Sequence, residues 1–184
     1  MVGVARCPSL TEIPALLRRG VPGVGRVPEW RLDITGAIKK PLSLTLEDLM
    51  KMPQVSQTCD VHCVTGWTLL DSRWRGIPMK TIIDLVKAKE TAGFVILKAQ
   101  GVYTSSIPLA EALKENVLLA HGFNGQKLPQ IHGAPLRALV PDRYFYKSVK
   151  WLEEIKFTTV DELGFYESSG YSNSADPWKE ERYE

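Results

Sequence analysis

Residues 59–67 read CDVHCVTGW, a run that carries two of the chain's three cysteines and one of its three histidines. A metal site, a disulfide and an apolar strand that happens to hold sulfur all compete for it. In an extended strand, residues 59, 61 and 63 point to one face and residues 60, 62 and 64 to the other. Cys59 and Cys63 then share a side but lie too far apart for a disulfide, whose Cα separation does not exceed about 7 Å. A structural zinc site takes four ligands, usually from two well-spaced pairs, and only His121 and His132 remain to supply the second pair. Their spacing is not that of a zinc finger. Cys59 reads as a small buried hydrophobe. Cys63 differs, because the strand gives way after it to a turn at Val64-Thr65-Gly66-Trp67, and strand ends are where side chains face ligands. One thiolate there can act as a nucleophile or as a single protein ligand to a soft, high-valent metal.

A chain of 184 residues is long enough for one domain with one substantial core. Hydrophobic and charged shares of 44% and 24% are those of an ordinary globular protein, and a net charge of +2 is too small to imply nucleic acid. No run is long and apolar enough for a membrane helix, and the first residues lack a basic segment followed by an apolar one, so a cytoplasmic location without a membrane span is expected. A reducing compartment keeps Cys7, Cys59 and Cys63 as thiols.

Proline and glycine crowd residues 1–29, which predicts an extended arm. The ordered domain is expected over 30–160. Trp30–Thr35 alternates as a half-buried strand. Thr45 with Asp48 three residues on marks a helix start, with Leu46, Leu49 and Met50 on one face up to Pro53. Val55–Val64 is strand-like until Gly66, and Pro78 opens an amphipathic helix with Ile82, Ile83, Leu85 and Val86. Strands follow at 94–97 and 102–107, and a short helix at 108–113. Asn124-Gly125 suits a type I′ hairpin turn between 117–123 and 126–128. The last strands are expected at 136–140 and 149–157. Strands outnumber helices and short turns join many of them, which predicts an α+β fold with mixed sheets and short helices. The segment 161–184 is polar but rich in aromatics, unlike a disordered tail, and is expected to pack back on the domain.

A second cluster lies in HGAPLRALVPDRYFYKSVKW, residues 132–151, where His132, Arg137, Arg143, Lys147 and Lys150 surround two apolar strands. Such a loop can hold a phosphate, but basic residues on an edge strand also serve simply to discourage aggregation. The chain lacks GxGxxG, a P-loop and HExxH. Cys63 with His121 or His132 has the residue types of a Cys-His hydrolase, with no local support for it. Trp67, Trp74, Tyr103 and Tyr171 have the chemistry of a base-stacking surface, but without a positive field the two tryptophans read as core.

Five stretches in order, HCVTGW, WRGIPMKTIIDLV, YTSSIPL, NGQKLPQIHGAPLRALVP and YKSVKWLEEI, resemble the sulfite oxidase-type molybdopterin oxidoreductase family. The likeness runs from about Trp30 to Phe157, and the ending ADPWKEERY is shared with its short, single-domain members. The resemblance implies the molybdopterin-binding-domain fold and a molybdenum cofactor with Cys63 as the protein's thiolate ligand, beside two sulfurs from the pterin. It further implies that His132 contacts the pterin, that Arg137 faces its phosphate, and that Ser148, Val149 and Lys150 form the turn that closes the site. His62 is a second contact or a satisfied core residue. Tyr171 takes the place of a tyrosine brought to the metal. The arginines that follow the cysteine in sulfite oxidases are replaced here by Val64-Thr65-Gly66-Trp67.

The expected activity is oxygen-atom transfer on a small substrate, a sulfite-like oxyanion or a sulfoxide. The chain shows no haem or flavin motif, so electrons are expected to pass to or from an external haem, flavin or quinone-linked protein. The competing expectation is a metal-free interaction or binding module on the same fold.

Overall fold

Thr45 accepts the Asp48 N–H at 3.1 Å while the Asp48 carboxylate accepts the Thr45 N–H at 2.9 Å, the reciprocal capping box that their spacing predicts. It starts α1 (Leu46–Met50). The computed structural model that shows this describes residues 30–184 and the backbone of residues 5 and 6. The rest of the expected arm, Cys7 included, lies outside the described residues.

Among the described residues the strands form two sheets. In the first, β5 (Trp67–Pro78) is antiparallel to β4 (Val55–His62) on one side and to β8 (Leu118–Phe123) on the other. The first residues of β5 also pair in parallel with β1 (Ala5–Arg6), and β8 carries β9 (Gln126–Lys127) and β10 (Arg137–Leu139). The second sheet has the order β3 (Leu42–Thr45), β2 (Arg31–Gly36), β11 (Leu152–Thr158), β6 (Phe94–Ala99), β7 (Thr104–Pro108). Its β2–β11 pair is parallel and the others are antiparallel, so the fold is α+β with mixed sheets.

The main core lies between these sheets. Leu32, Ile34, Ile155 and Phe157 of the second sheet meet Ile77, Leu119 and Ala138 of the first, with α2 (Met79–Val86) packed against them. Helix α2 buries Met79, Ile82, Ile83 and Val86, whose i, i+3, i+4, i+7 spacing makes one stripe; Leu85 falls off it and is 38% exposed. Helix α3 (Leu109–Ala112) follows β7. Asn124 and Gly125 both have positive φ, +48° and +79°, and close the β8–β9 hairpin as Asn-Gly predicts.

Strand β5, the centre of the first sheet, is absent from the sequence expectation. Two irregularities hide it. Between the pairs Cys59–Ser72 and Val61–Leu69, β5 carries one residue more than β4; Asp71 takes up the excess at φ +52° and donates its N–H to the Asp60 carboxylate at 2.9 Å. The register against β8 shifts again at Gly76, where a Cβ would lie 2.3 Å from the Leu119 carbonyl oxygen. Strand β11 is shorter than expected and begins only at Leu152, which leaves Ser148–Trp151 as a turn.

Residues 161–184 are tied to the sheets by a buried polar network. Lys147 Nζ lies 2.6 Å from Glu167, both side chains 1% exposed, and also donates to the Ser106 carbonyl at 2.8 Å and to Asn173 at 3.1 Å. Burial pulls the Lys147 ammonium below its usual range and Glu167 works against that shift. The Glu167→Ala variant leaves a buried, uncompensated cation and is expected to lose about 3–5 kcal/mol of stability. Joint replacement, Lys147→Met with Glu167→Leu, is expected to restore most of the loss in urea denaturation.

Candidate cofactor site

Cys63 is the first residue of the turn that joins β4 to β5. Its N–H donates to the Trp67 carbonyl and its carbonyl accepts from the Gly66 N–H, both at 2.9 Å, and Gly66 at φ +98° lets the chain reverse. The thiol is half-buried, with Sγ 3.1 Å from the Thr65 hydroxyl. The phenols of Tyr144 and Tyr166 lie within electrostatic reach of it. Burial pushes both phenols up, and the Arg182 charge works against the shift at Tyr144. The Tyr144 hydroxyl is buried with no hydrogen-bond partner in the protein. Tyr171 packs edge-on against Tyr166 at 5.1 Å and Tyr146 at 5.7 Å. Arg182 donates to the Val64 carbonyl and lies over the Tyr144 ring at 5.3 Å.

The neighbours of Cys63 in the run have other partners. His62 is bound through Nδ1 to the Thr68 hydroxyl at 2.9 Å and meets the edge of Trp178 at 5.0 Å. Cys59 packs at the edge of the smaller core cluster of Val61, Trp74, Phe123 and Leu139, and burial pushes its thiol up.

The second group of expected residues forms a cradle around a buried arginine. Arg137, 2% exposed, donates from Nη1 to the His132 carbonyl at 2.9 Å, from Nη2 to the Ser148 carbonyl at 2.7 Å and from Nε to the Ala138 carbonyl at 3.2 Å. Its guanidinium lies 4.4 Å from the Phe145 ring centroid and 5.4 Å from that of Trp74. Three of its N–H donors thus go to main-chain carbonyls, and it holds the loops on either side. Ser148 is turned inward as well, its hydroxyl accepting the Val140 N–H at 2.9 Å, and Val149 is fully buried. The N–H groups of Ser148 and Val149 donate to the Phe145 and Lys147 carbonyls and so close the turn.

His132 and Lys150 remain as the partly exposed members. Gly133, at φ +110°, lets their segments meet, since a Cβ there would lie 2.9 Å from Lys150 Cβ and 3.1 Å from Arg137 Cβ. Lys150 Nζ sits 4.2 Å from the Trp151 ring centroid and 3.3 Å from the Ile131 carbonyl. Burial, then the Arg137 charge, lowers Lys150 to about 8; burial, then Arg137 and Lys150, lowers His132 to about 4. Burial pulls Arg137 down to about 9, still charged at neutral pH. None of the three has a carboxylate partner among the described residues. A clustered positive charge without a counter-ion is relieved by an anion.

The family model for the oxidoreductase molybdopterin binding domain matches residues 19–166. The chain belongs to this family. Its cofactor is molybdopterin with molybdenum, and it is a molybdopterin oxidoreductase domain. It is 40% identical over 173 residues, 94% of its length and 87% of the relative's, to the uncharacterized oxidoreductase YuiH of Bacillus subtilis (strain 168). Over 156 residues it is 31% identical to the protein-methionine-sulfoxide reductase catalytic subunit MsrP of Campylobacter jejuni, covering 76% of this chain and 52% of that protein, so it spans about half the length of that relative. The fold matches the sulfane dehydrogenase SoxCD from Paracoccus pantotrophus at a TM-score of 0.66 and 23% identity, over 73% of this chain and 39% of that one.

The residues present fit such a cofactor. The cradle suits a phosphate, the buried Tyr144 hydroxyl has no partner in the protein, and among the described residues no three His, Cys, Asp or Glu side chains converge on a metal. Sequence reasoning missed Tyr144, Tyr166 and Arg182. Arg182 lies within the shared ending ADPWKEERY, the one signal that could have pointed to it.

Two outcomes are expected in cofactor-free protein. His132 binds its proton at about 4 in the fold against 6.5 in the open chain, so between those values the unfolded state holds more protons and stability rises with pH. His132→Gln is expected to remove that part of the slope in urea midpoints taken at pH 4.5 and 6.5. Lys150→Met, which removes an uncompensated cation, is expected to raise Tm by about 2–4 °C while lowering retention of molybdopterin in cofactor-replete preparations.

Proposed function

We propose that the chain removes the oxygen atom from a small sulfoxide, with Cys63 as the thiolate ligand of molybdenum and with His132 and Lys150 facing the pterin phosphate. The observation that carries this is the half-buried thiol at the β4–β5 turn, with the phenols of Tyr144 and Tyr166 within electrostatic reach and one guanidinium, that of Arg182, bonded to the next residue's carbonyl. A mostly neutral, aromatic wall suits a sulfoxide with its apolar substituents better than a sulfur dianion, whose desolvation needs several fixed cations. The likeness to a relative named as a protein-methionine-sulfoxide reductase supports the same substrate class.

The cofactor, when bound, supplies two-electron oxygen-atom transfer. The protein's part is to hold and shield. The paired main-chain bonds of the turn fix Cys63, and the Thr65 hydroxyl bonds its sulfur. Tyr144 and Tyr166, kept protonated by burial, exclude water and present O–H donors, with Tyr171 packed behind them on Tyr166. Reduction of a sulfoxide consumes two electrons and two protons and leaves a thioether and water. The electrons come from an external haem, flavin or quinone-linked protein, a division of labour consistent with the name catalytic subunit borne by the Campylobacter relative.

Molybdenum-replete protein is expected to hold close to one metal per chain and to oxidise reduced viologen with dimethyl sulfoxide. Cys63→Ser is expected to lose at least about 100-fold in rate, since even outer-sphere changes cost up to that much. Full activity in that variant would remove Cys63 as ligand, and turnover with sulfite but with no sulfoxide would replace the substrate class.

A further inference from the structure

We propose that Arg182, delivered by the C-terminal segment, is the specificity-determining residue that binds the sulfur-bound oxygen of the substrate; this rests on the reading of Cys63 as the metal ligand. The placement is specific. Arg182 Nη1 donates to the carbonyl of Val64, the residue after Cys63, across 118 positions of sequence. Its guanidinium lies over the Tyr144 ring, whose phenol is within electrostatic reach of both Arg182 and Cys63. That phenol's hydroxyl is buried and unpartnered, a donor waiting for an acceptor.

Arg182 differs from the other arginines of this region in having donors to spare. Arg137 is committed to the carbonyls of His132, Ala138 and Ser148. Arg143 is forked onto Glu111 at 3.0 and 2.6 Å and donates further to Ser174. Arg182 is half-buried, has no carboxylate partner among the described residues, and uses one N–H on Val64. A guanidinium carries five such donors in a rigid fork, so most remain available at the turn that holds Cys63.

The backbone that brings it there is fixed. The Arg182 N–H donates to the Glu180 carbonyl at 2.8 Å, its carbonyl accepts the Ser172 N–H at 3.1 Å, and Tyr171 and Tyr183 form a bridge. Trp178, four residues before Arg182, rests edge-on against His62. A cation held in this way is pre-organised for an oxygen bearing negative charge, whether the partial charge of a sulfoxide or the full charge of a sulfur oxyanion.

The test has two arms. In cofactor-free protein, alkylation at the Cys63 peptide is followed by mass spectrometry with anionic iodoacetate and neutral iodoacetamide. Both reagents meet the same steric barrier, so the ratio of rates reads charge. Arg182→Gln is expected to lower the iodoacetate-to-iodoacetamide ratio by roughly 3- to 10-fold, the scale of one charge a few ångströms away at intermediate dielectric. An unchanged ratio overturns the placement.

In loaded enzyme, Arg182→Gln is expected to raise KM for dimethyl sulfoxide and the inhibition constant of sulfite by roughly 10- to 100-fold. The anion should suffer more than the neutral substrate, and Arg182→Lys should recover part of the loss. A loss confined to kcat, with KM unmoved for both ligands, would reduce Arg182 to a support for the Val64 carbonyl and overturn the proposal. Failure of the Cys63 reading would show separately, as full activity in Cys63→Ser.

Discussion

The Arg137 guanidinium, buried at the start of β10 and bonded to the carbonyls of His132 and Ser148, is the constraint on which the candidate site depends. Those carbonyls belong to the connections before and after β10, each of which holds only a single 3-10 turn, Gln130–His132 and Phe145–Lys147. A neutral side chain would leave both carbonyls buried without a donor, a cost of about 1–3 kcal/mol each. By tying them, Arg137 also fixes where His132 and Lys150 stand. They are held close to one another and to Arg137 itself, an arrangement that opposes protonation of His132 and weakens that of Lys150. Under the proposed reading, an anionic cofactor relieves this unfavourable concentration of positive charge on binding. Folding and binding therefore ask different things of the same residues.

The thiol end is built on another principle. Cys63 is placed by strand pairing: β4 and β5 are in register up to His62–Thr68, and the turn beyond them closes on Cys63 and Trp67. The surroundings of that turn come from far along the chain, with Tyr144 and Tyr166 from the segments after β10 and β11 and Arg182 from the C-terminal region. The buried Lys147–Glu167 pair connects these pieces, since Lys147 lies between Tyr144 and the cradle turn in sequence while Glu167 adjoins Tyr166. The surroundings of the thiol turn and the Arg137 cradle are thus connected through one short stretch, residues 144–150.

Much of the fold was legible where a local rule acts alone. The capping box at Thr45 and Asp48, the apolar stripe of α2 and the Asn-Gly hairpin depend on neighbours within a few residues. Strand β5 was not legible, because Asp71 and Gly76 interrupt the period-two pattern for reasons that lie in β4 and β8. The alternation of residues 59–64 did place Cys63 at a strand end and Cys59 against the core. The basic cluster was visible as charge, but nothing in its spacing told which cation is buried. Arg137 turned inward because two loop carbonyls needed a donor, and Lys147 because a carboxylate twenty residues away meets it. Arg182 lay outside every pattern that periodicity or spacing can detect.

The central claim is that a single protein thiolate, Cys63, completes the coordination of a pterin-borne molybdenum. Sulfur counting by X-ray absorption at the molybdenum edge tests it most directly. The account predicts three sulfur neighbours in the wild-type protein, two of them from the pterin, and two in Cys63→Ser. The same sulfur count in both proteins would contradict it.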